Sequence, residues 1–232
     1  MYPQSQSIGA LDVQEGARLA MRRVYLWMTI GLLTTAGVAL FMQLFVPPLL
    51  QSLIILPAII VEFVVVLGLS FLINRLSPVV AALAFFFYAA LNGVTLAPIF
   101  WVYTGTGIAF SFFATASMFG AMSIVGYTTR TDLSKFGSLL MMGLLGLIIA
   151  SVVNLFFAST TLYWIISYVG VLLFVGLTAY DTQWIKNATT QAVLAGDTQV
   201  EGRVGVMGAL RLYLDFINLF LMILRIAGGR KR

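Results

Sequence analysis

Seven long apolar stretches account for most of this 232-residue chain. An α-helix of about twenty apolar residues crosses the hydrocarbon layer of a bilayer and satisfies its own backbone polar groups there. The predicted spans are residues 24–46, 53–73, 79–103, 108–127, 136–158, 162–180 and 206–227. The sequence therefore predicts an all-α membrane protein, a bundle of seven transmembrane helices.

The remaining residues are few and polar, so we expect three parts in the chain. Residues 1–23 form a polar cytoplasmic arm, residues 24–228 form the transmembrane domain, and residues 229–232 form a basic tail. The third span contains Asn92, Gly93 and Pro98, which in a membrane helix indicate a kink or close packing.

The composition excludes several kinds of site. The chain contains no cysteine and no histidine, so thiolate or imidazole metal sites and imidazole general bases are absent. Only 9% of the residues are charged, against about 25% in a soluble domain. Any proton sensing must therefore come from carboxylates. We expect no enzymatic activity and no cofactor.

The basic residues predict the orientation, because cytoplasmic loops of membrane proteins are enriched in Lys and Arg. Such residues precede the first span, follow the second, and separate the fourth from the fifth and the sixth from the seventh. The alternate connections carry none, which predicts a cytoplasmic amino terminus. The basic carboxy terminus disagrees with seven spans, so the last segment either crosses fully, which we favour, or is re-entrant.

The last span carries a continuous polar stripe. At 100° per residue, one face of a helix would hold Arg211, Asp215, Asn218, Met222 and Arg225. A carboxylate facing lipid is costly, so this face should meet protein or water, which suits a helix at the centre of the bundle. Asp181 ends the preceding span, and its carboxylate could approach that of Asp215.

Two close carboxylates can share a proton, because their repulsion and desolvation oppose the doubly charged state. Such a pair could hold two helices together when protonated once and release them when both charges appear. Deprotonated, Asp181 and Asp215 could bind Ca²⁺ transiently, since Ca²⁺ prefers oxygen ligands. Glu62 is a third intramembrane acid, and Arg225 is its candidate counter-ion. Alternatively, Asp181 only ends a helix and Arg211 pairs with Asp215 along one helix.

Four segments resemble the transmembrane Bax-inhibitor-motif family, in its bacterial inner-membrane branch. They are residues 176–183 (GLTAYDTQ), 212–220 (LYLDFINLF) with Leu224 and Arg225, 119–122 (FGAM), and 128–134 (TTRTDLS). The similarity extends over residues 22–228, and the two aspartate motifs are its most specific part.

The resemblance implies a fold with the seventh helix at the centre, wrapped by the other six. It also implies a pH-sensitive calcium leak controlled by a hydrogen-bonded aspartate pair, which by motif is Asp181 and Asp215. The family's acid in the second span falls on Glu62, and its basic partner in the last helix falls on Arg225. Its arginine at the end of the second span has Arg75 as the nearest substitute.

Arg211 is a departure, since the family pattern has a small polar residue at that position. A cation four residues before Asp215 favours the ionised carboxylate, so the proton switch should act at lower pH or less completely.

Two other functions remain open. Relatives of the bacterial branch can bind membrane-embedded quality-control proteases without conducting ions, and residues 1–17 and the expected loop 181–205 could make such contacts. An intramembrane aspartyl protease also uses two aspartates on adjacent spans. However, residues 212–214 read Leu-Tyr-Leu, where such proteases have Gly-x-Gly. We expect the lipid bilayer and Ca²⁺ as partners, and no nucleic acid.

Overall fold

A computed structural model of the protein describes residues 10–231, with side chains from residue 13 onward. Eight α-helices and two 3₁₀ turns follow one another. The helices are α1 (Ala10–Phe45), α2 (Pro48–Leu72), α3 (Pro78–Leu96), α4 (Ile99–Val102), α5 (Gly105–Thr128), α6 (Gly137–Phe157), α7 (Thr160–Ala195) and α8 (Thr198–Ala227), and the turns are Ile73–Arg75 and Leu133–Phe136. Seven segments are long and apolar enough to cross a membrane. The predicted fold class is confirmed.

The third span is divided into α3 and the short α4. Its break lies at Ala97 and Pro98, because a proline has no N–H to donate and disfavours helical backbone in the residue before it. Gly93 packs closely on α1, where an added Cβ would lie 2.7 Å from the Thr35 carbonyl oxygen. The span therefore has both features indicated by its sequence, a break and a close contact.

Helix ends explain the short connections. Ser77, Thr104, Ser159 and Asp197 each accept a backbone hydrogen bond at the start of the following helix. α7 ends at Gly196, whose φ of +66° is readily adopted only by glycine.

One expectation about a loop was wrong, while the polar amino-terminal arm stays a prediction. The part of the predicted arm that the structure describes, from Ala10, belongs to α1, while residues 1–9 lie outside the described residues. The expected loop 181–205 is almost wholly helical, since α7 continues to Ala195 and α8 begins at Thr198. Polar residues mark where a helix leaves the hydrocarbon layer, not where it stops.

Helix α8 lies at the centre of the bundle. Its most apolar window is 72% buried, whereas the corresponding share in the other spans is at most 39%. It packs mainly against α1, α3, α5 and α7, while α2 packs on α3 and α6 packs on α7. The central position is confirmed, although four helices rather than six form its main surroundings.

The two ends of the bundle are distinct. We call amino end the side with the 73–77, 129–136 and 196–197 connections, and carboxy end the side with residues 228–231. At the carboxy end, Thr104 N donates to Gly229 O at 2.8 Å and Lys231 N donates to Val102 O at 2.9 Å. α8 therefore crosses the whole bundle, and its last residues are held at the far side, which excludes a re-entrant last segment.

Candidate functional site

Asp181 and Asp215 lie on α7 and α8, the two helices with the most extensive mutual contact. Both side chains are buried, with 7% and 4% of their surface exposed. The Nη1 atom of Arg211 donates to Oδ1 of Asp181 at 2.9 Å. Arg211, which was expected to pair with Asp215 along α8, instead forms its ion pair with Asp181 of α7. It stabilises the ionised form of Asp181 and ties the two helices together.

Trp184 holds the Arg211 guanidinium from its other side. The guanidinium carbon lies 4.0 Å from the centroid of the indole, the geometry of a cation–π contact. Trp184 stands three residues after Asp181 on α7, so both face the same neighbour. Sequence reasoning missed this residue, although its spacing from Asp181 was the available signal.

Asp215 lies deeper and has fewer partners. Its Oδ2 atom is buried and receives no hydrogen bond within the part of the chain that the structure describes. The nearest charges acting on it are those of Asp181 and Arg211. One cation thus serves two buried carboxylates. A single added proton would remove the excess charge.

Close helix contacts fix the position of Asp181. A Cβ added at Gly126 of α5 would collide with the backbone carbonyl of Ala179, two residues before Asp181. Gln183 holds the loop after α5, since its Oε1 accepts from Leu133 N at 2.7 Å and its Nε2 donates to Thr131 O at 2.9 Å. The 128–134 and 176–183 motifs are therefore in direct contact.

Within that loop, Asp132 closes a local turn. Its Oδ1 accepts from the backbone N of Ser134 at 3.0 Å and also from the Ser134 hydroxyl. These hydrogen bonds to the charged form hold the pKa of Asp132 below its usual value. Asp132 therefore remains an anion at neutral pH and takes no part in a proton switch.

Glu62 belongs to a second polar cluster. Thr95 donates to its Oε2 at 3.0 Å, and Tyr88 lies beside it. The Tyr88 ring packs edge-on against Tyr213 of α8, at 5.9 Å between centroids. The Tyr213 and Thr35 hydroxyls are 2.6 Å apart. This cluster links α2, α3, α8 and α1.

The remaining predicted residues do not join either acid cluster. Arg225 makes no ion pair with Glu62. Its guanidinium lies 5.7 Å from the centroid of Tyr163. Arg75 is exposed in a 3₁₀ turn and has no ion pair among the described residues. Asn218 donates to Leu214 O in its own helix at 2.8 Å. The expected Glu62–Arg225 pair is therefore wrong, because Arg225 lies near the carboxy end against α7.

The polar stripe of α8 faces α7 along its length. Arg211 contacts Asp181, Met222 packs against Gly170, and Arg225 lies over Tyr163. The stripe predicted from helical spacing thus meets protein rather than lipid.

As a Ca²⁺ site, the pair offers few ligands. Ca²⁺ binds six to eight oxygens, and no group of three or more acidic side chains that could hold a metal occurs in the described region. Asp181 and Asp215 could hold the ion only in passing.

Comparisons with known proteins identify the family. A family model described as "Inhibitor of apoptosis-promoting Bax1" matches residues 17–232. The chain belongs to the Bax inhibitor family. It is 47% identical to the inner membrane protein YbhL of Escherichia coli K12, covering 99% of both chains. It is also 41% identical to the RP147 protein of Rickettsia prowazekii, covering 94% of this chain and 92% of the relative.

This member of the Bax inhibitor family is a multi-pass inner-membrane protein.

Proposed function

We propose that the protein is a pH-sensitive Ca²⁺ leak channel of the inner membrane, gated by Asp181 and Asp215. The observation that carries the proposal is the charge imbalance at the α7–α8 contact. Among the described residues, the two buried carboxylates have one cation, and Asp215 Oδ2 has no hydrogen-bond donor. An intramembrane ionisable group is costly and is by default functional.

The gate would work through the shared proton. With one proton between Asp181 and Asp215, the pair would be hydrogen-bonded and α7 would stay against α8. With both ionised, Arg211 would offset only one charge. The remaining repulsion would separate the helices and present oxygen ligands to Ca²⁺. We place the amino terminus in the cytoplasm, so that this gate lies towards the cytoplasmic side.

The central test is Ca²⁺ flux through the purified full-length protein in liposomes, measured from acidic to mildly alkaline pH. We expect flux above that of empty vesicles, rising with pH. Asp215→Asn keeps the shape of the side chain but cannot ionise, so flux should no longer depend on pH. Glu15→Gln removes an exposed acid at the amino end and should leave the profile unchanged. An unaltered pH profile in Asp215→Asn would contradict the gate.

A second candidate function is binding to a membrane-embedded quality-control protease. The observation that favours it is a cleft of about 740 Å³ at the amino end, lined by α1, Tyr127, Lys186 and Thr190. There the α1 and α7 helices continue beyond their apolar spans. Absence of flux at every pH, with a correctly folded protein, would favour this function over the leak.

We further propose that the protein is not an enzyme and needs no cofactor. An aspartyl protease requires both carboxylates to hold a catalytic water between them, whereas here Oδ1 of Asp181 already accepts from the Arg211 guanidinium. Peptide cleavage by the purified unmodified protein that is lost in Asp215→Asn would contradict this proposal.

A further inference from the structure

The carboxy end of the bundle carries a concentrated positive charge without acidic residues. Between Asp132 and Asp181 the sequence contains no Asp or Glu, and none follows Asp215. The segments that build this end therefore supply no acidic side chain. They do supply Arg225 from α8 and Arg230 from the tail. Lys and Arg are usually enriched on the cytoplasmic side of a membrane protein, whereas we place the carboxy end on the opposite side. The position of these arginines therefore needs a local reason.

Both arginines converge on one tyrosine. The guanidinium carbons of Arg225 and Arg230 lie 5.7 and 5.8 Å from the centroid of the Tyr163 ring. An Nη2 atom of Arg230 also lies 3.5 Å from the Tyr163 hydroxyl. Neither forms an ion pair with an acidic side chain within residues 13–231. Two like charges held on one aromatic ring repel, and an anion between them would relieve that repulsion.

The two arginines line a cleft of about 600 Å³ between α6, α7 and α8. Asn154 and Thr160 add uncharged donors to the lining. The side-chain carbonyl of Asn154 already accepts from Ser159 N at 2.9 Å. This bond leaves the NH₂ group of the same side chain free to donate. Guanidinium groups with amide and hydroxyl donors are the groups that recognise phosphate oxygens.

The cleft lies at a membrane boundary. Trp164 lines it and stacks with Tyr168, and tryptophan and tyrosine concentrate at the headgroup level. Beside Asn154, the last turn of α6 exposes three large apolar side chains, those of Leu155, Phe156 and Phe157. A ligand with a phosphate group and apolar chains would therefore match both parts of this surface.

We propose that this cleft binds a phosphate-type anion, and that the anion is the headgroup of an anionic phospholipid. The site is separate from the aspartate pair, so it does not depend on Ca²⁺ conduction. Binding there would neutralise Arg225 and Arg230 and fix the ends of α7 and α8 at the bilayer surface.

The test measures lipid retention by native mass spectrometry. The full-length protein is extracted from vesicles of phosphatidylcholine with phosphatidylglycerol, and the bound fraction of phosphatidylglycerol is compared with its bulk fraction. We expect phosphatidylglycerol to be enriched on the unmodified protein. In the double variant Arg225→Gln/Arg230→Gln, this enrichment should fall by about fivefold for each arginine removed. Arg130→Gln removes one exposed cation at the amino end and should keep the enrichment. Equal enrichment in all three proteins would overturn the site.

Two further arms keep the test decisive. Arg230→Gln alone changes only the exposed tail, so it remains informative if the double variant does not fold. We expect it to lose about fivefold, and an unchanged enrichment would count against the site. Inorganic phosphate added to the extracted protein should not displace phosphatidylglycerol. Displacement at millimolar phosphate would overturn the lipid as the source of the anion.

Discussion

At the scale of single residues, Arg211 is the cation in contact with the aspartate pair. Its guanidinium bridges α8 to Asp181 and rests on Trp184, so the pair contains one cation for two acids. Helical spacing alone placed Arg211 next to Asp215. The long arginine side chain reached across the helix contact instead, and spacing along one helix cannot show this. The residues of the pair were predictable, but their hydrogen bonds were not.

Replacing Arg211 by serine should shift the gate to higher pH. The cation that favours ionised carboxylates is lost, so the shared proton is retained to higher pH and the midpoint of Ca²⁺ flux rises. Asp181 also loses its hydrogen bond, which should lower the free energy of unfolding by about 1–3 kcal/mol. Arg130→Gln serves as the control. A flux midpoint that stays in place would refute the role of Arg211.

The Tyr213 hydroxyl should stabilise the α1–α8 contact measurably. Tyr213→Phe removes its bond to Thr35, and we expect a cost of about 0.5–1.5 kcal/mol. A double-mutant cycle with Thr35→Val, followed by chemical unfolding in detergent, isolates the pairwise contribution. Tyr168→Phe changes an exposed tyrosine and should be neutral. Additive effects of the two changes would show that the hydroxyls do not interact.

At the scale of helices, α7 and α1 differ most from their sequence-based bounds. Hydropathy located both spans but ended α7 at residue 180, where the apolar run ends. The helix continues because residues 181–195 contain neither glycine nor proline, and it ends where Gly196 adopts a positive φ. Gly196 was therefore a usable signal for the end of α7. The end of the apolar span was the wrong criterion, because a helix can continue beyond the hydrocarbon layer.

The contact between α5 and α7 should tolerate no side chain at Gly126. Gly126→Ala would push a Cβ into the Ala179 backbone, separate the two helices and cost about 1–3 kcal/mol of stability. Gly120→Ala is the matched control on the same helix, because nothing lies within 4 Å of its added Cβ. Thermal unfolding in detergent compares the two variants. Equal melting temperatures would contradict the close contact.

At the scale of the whole molecule, the complete crossing of α8 places Ala10 and Lys231 at opposite ends of the bundle. The count of seven spans predicted opposite ends despite the basic tail, whereas the cytoplasmic amino terminus indicated by the basic loops stays a prediction. The tail has local partners at the carboxy end. Lys231 Nζ donates to Phe100 O at 2.7 Å, and Arg230 contacts the Tyr163 hydroxyl. These contacts depend on the packing of distant segments, so they could not be read from the sequence.

Cysteine labelling can test the orientation, since the natural chain has no cysteine. Thr161→Cys is exposed at the carboxy end and should react with a membrane-impermeant maleimide on intact cells. Thr131→Cys is exposed at the amino end and should react only after the cells are opened. The reverse pattern would place the amino terminus outside and would also reverse the side of the proposed gate.

The contact of Gly126 with Ala179 fixes one point of α7, so a tilt of the helix about this point would move its end at Ala195 the most. Asp181 stands two residues after Ala179, while Ala195 lies about 24 Å beyond Ala179 at 1.5 Å per residue. A tilt of about 10° there would displace the far end by about 4 Å. Gly16 of α1 packs against Val193 near that end and would be carried along. A small movement at the carboxylates would thus be enlarged where the protein projects from the membrane.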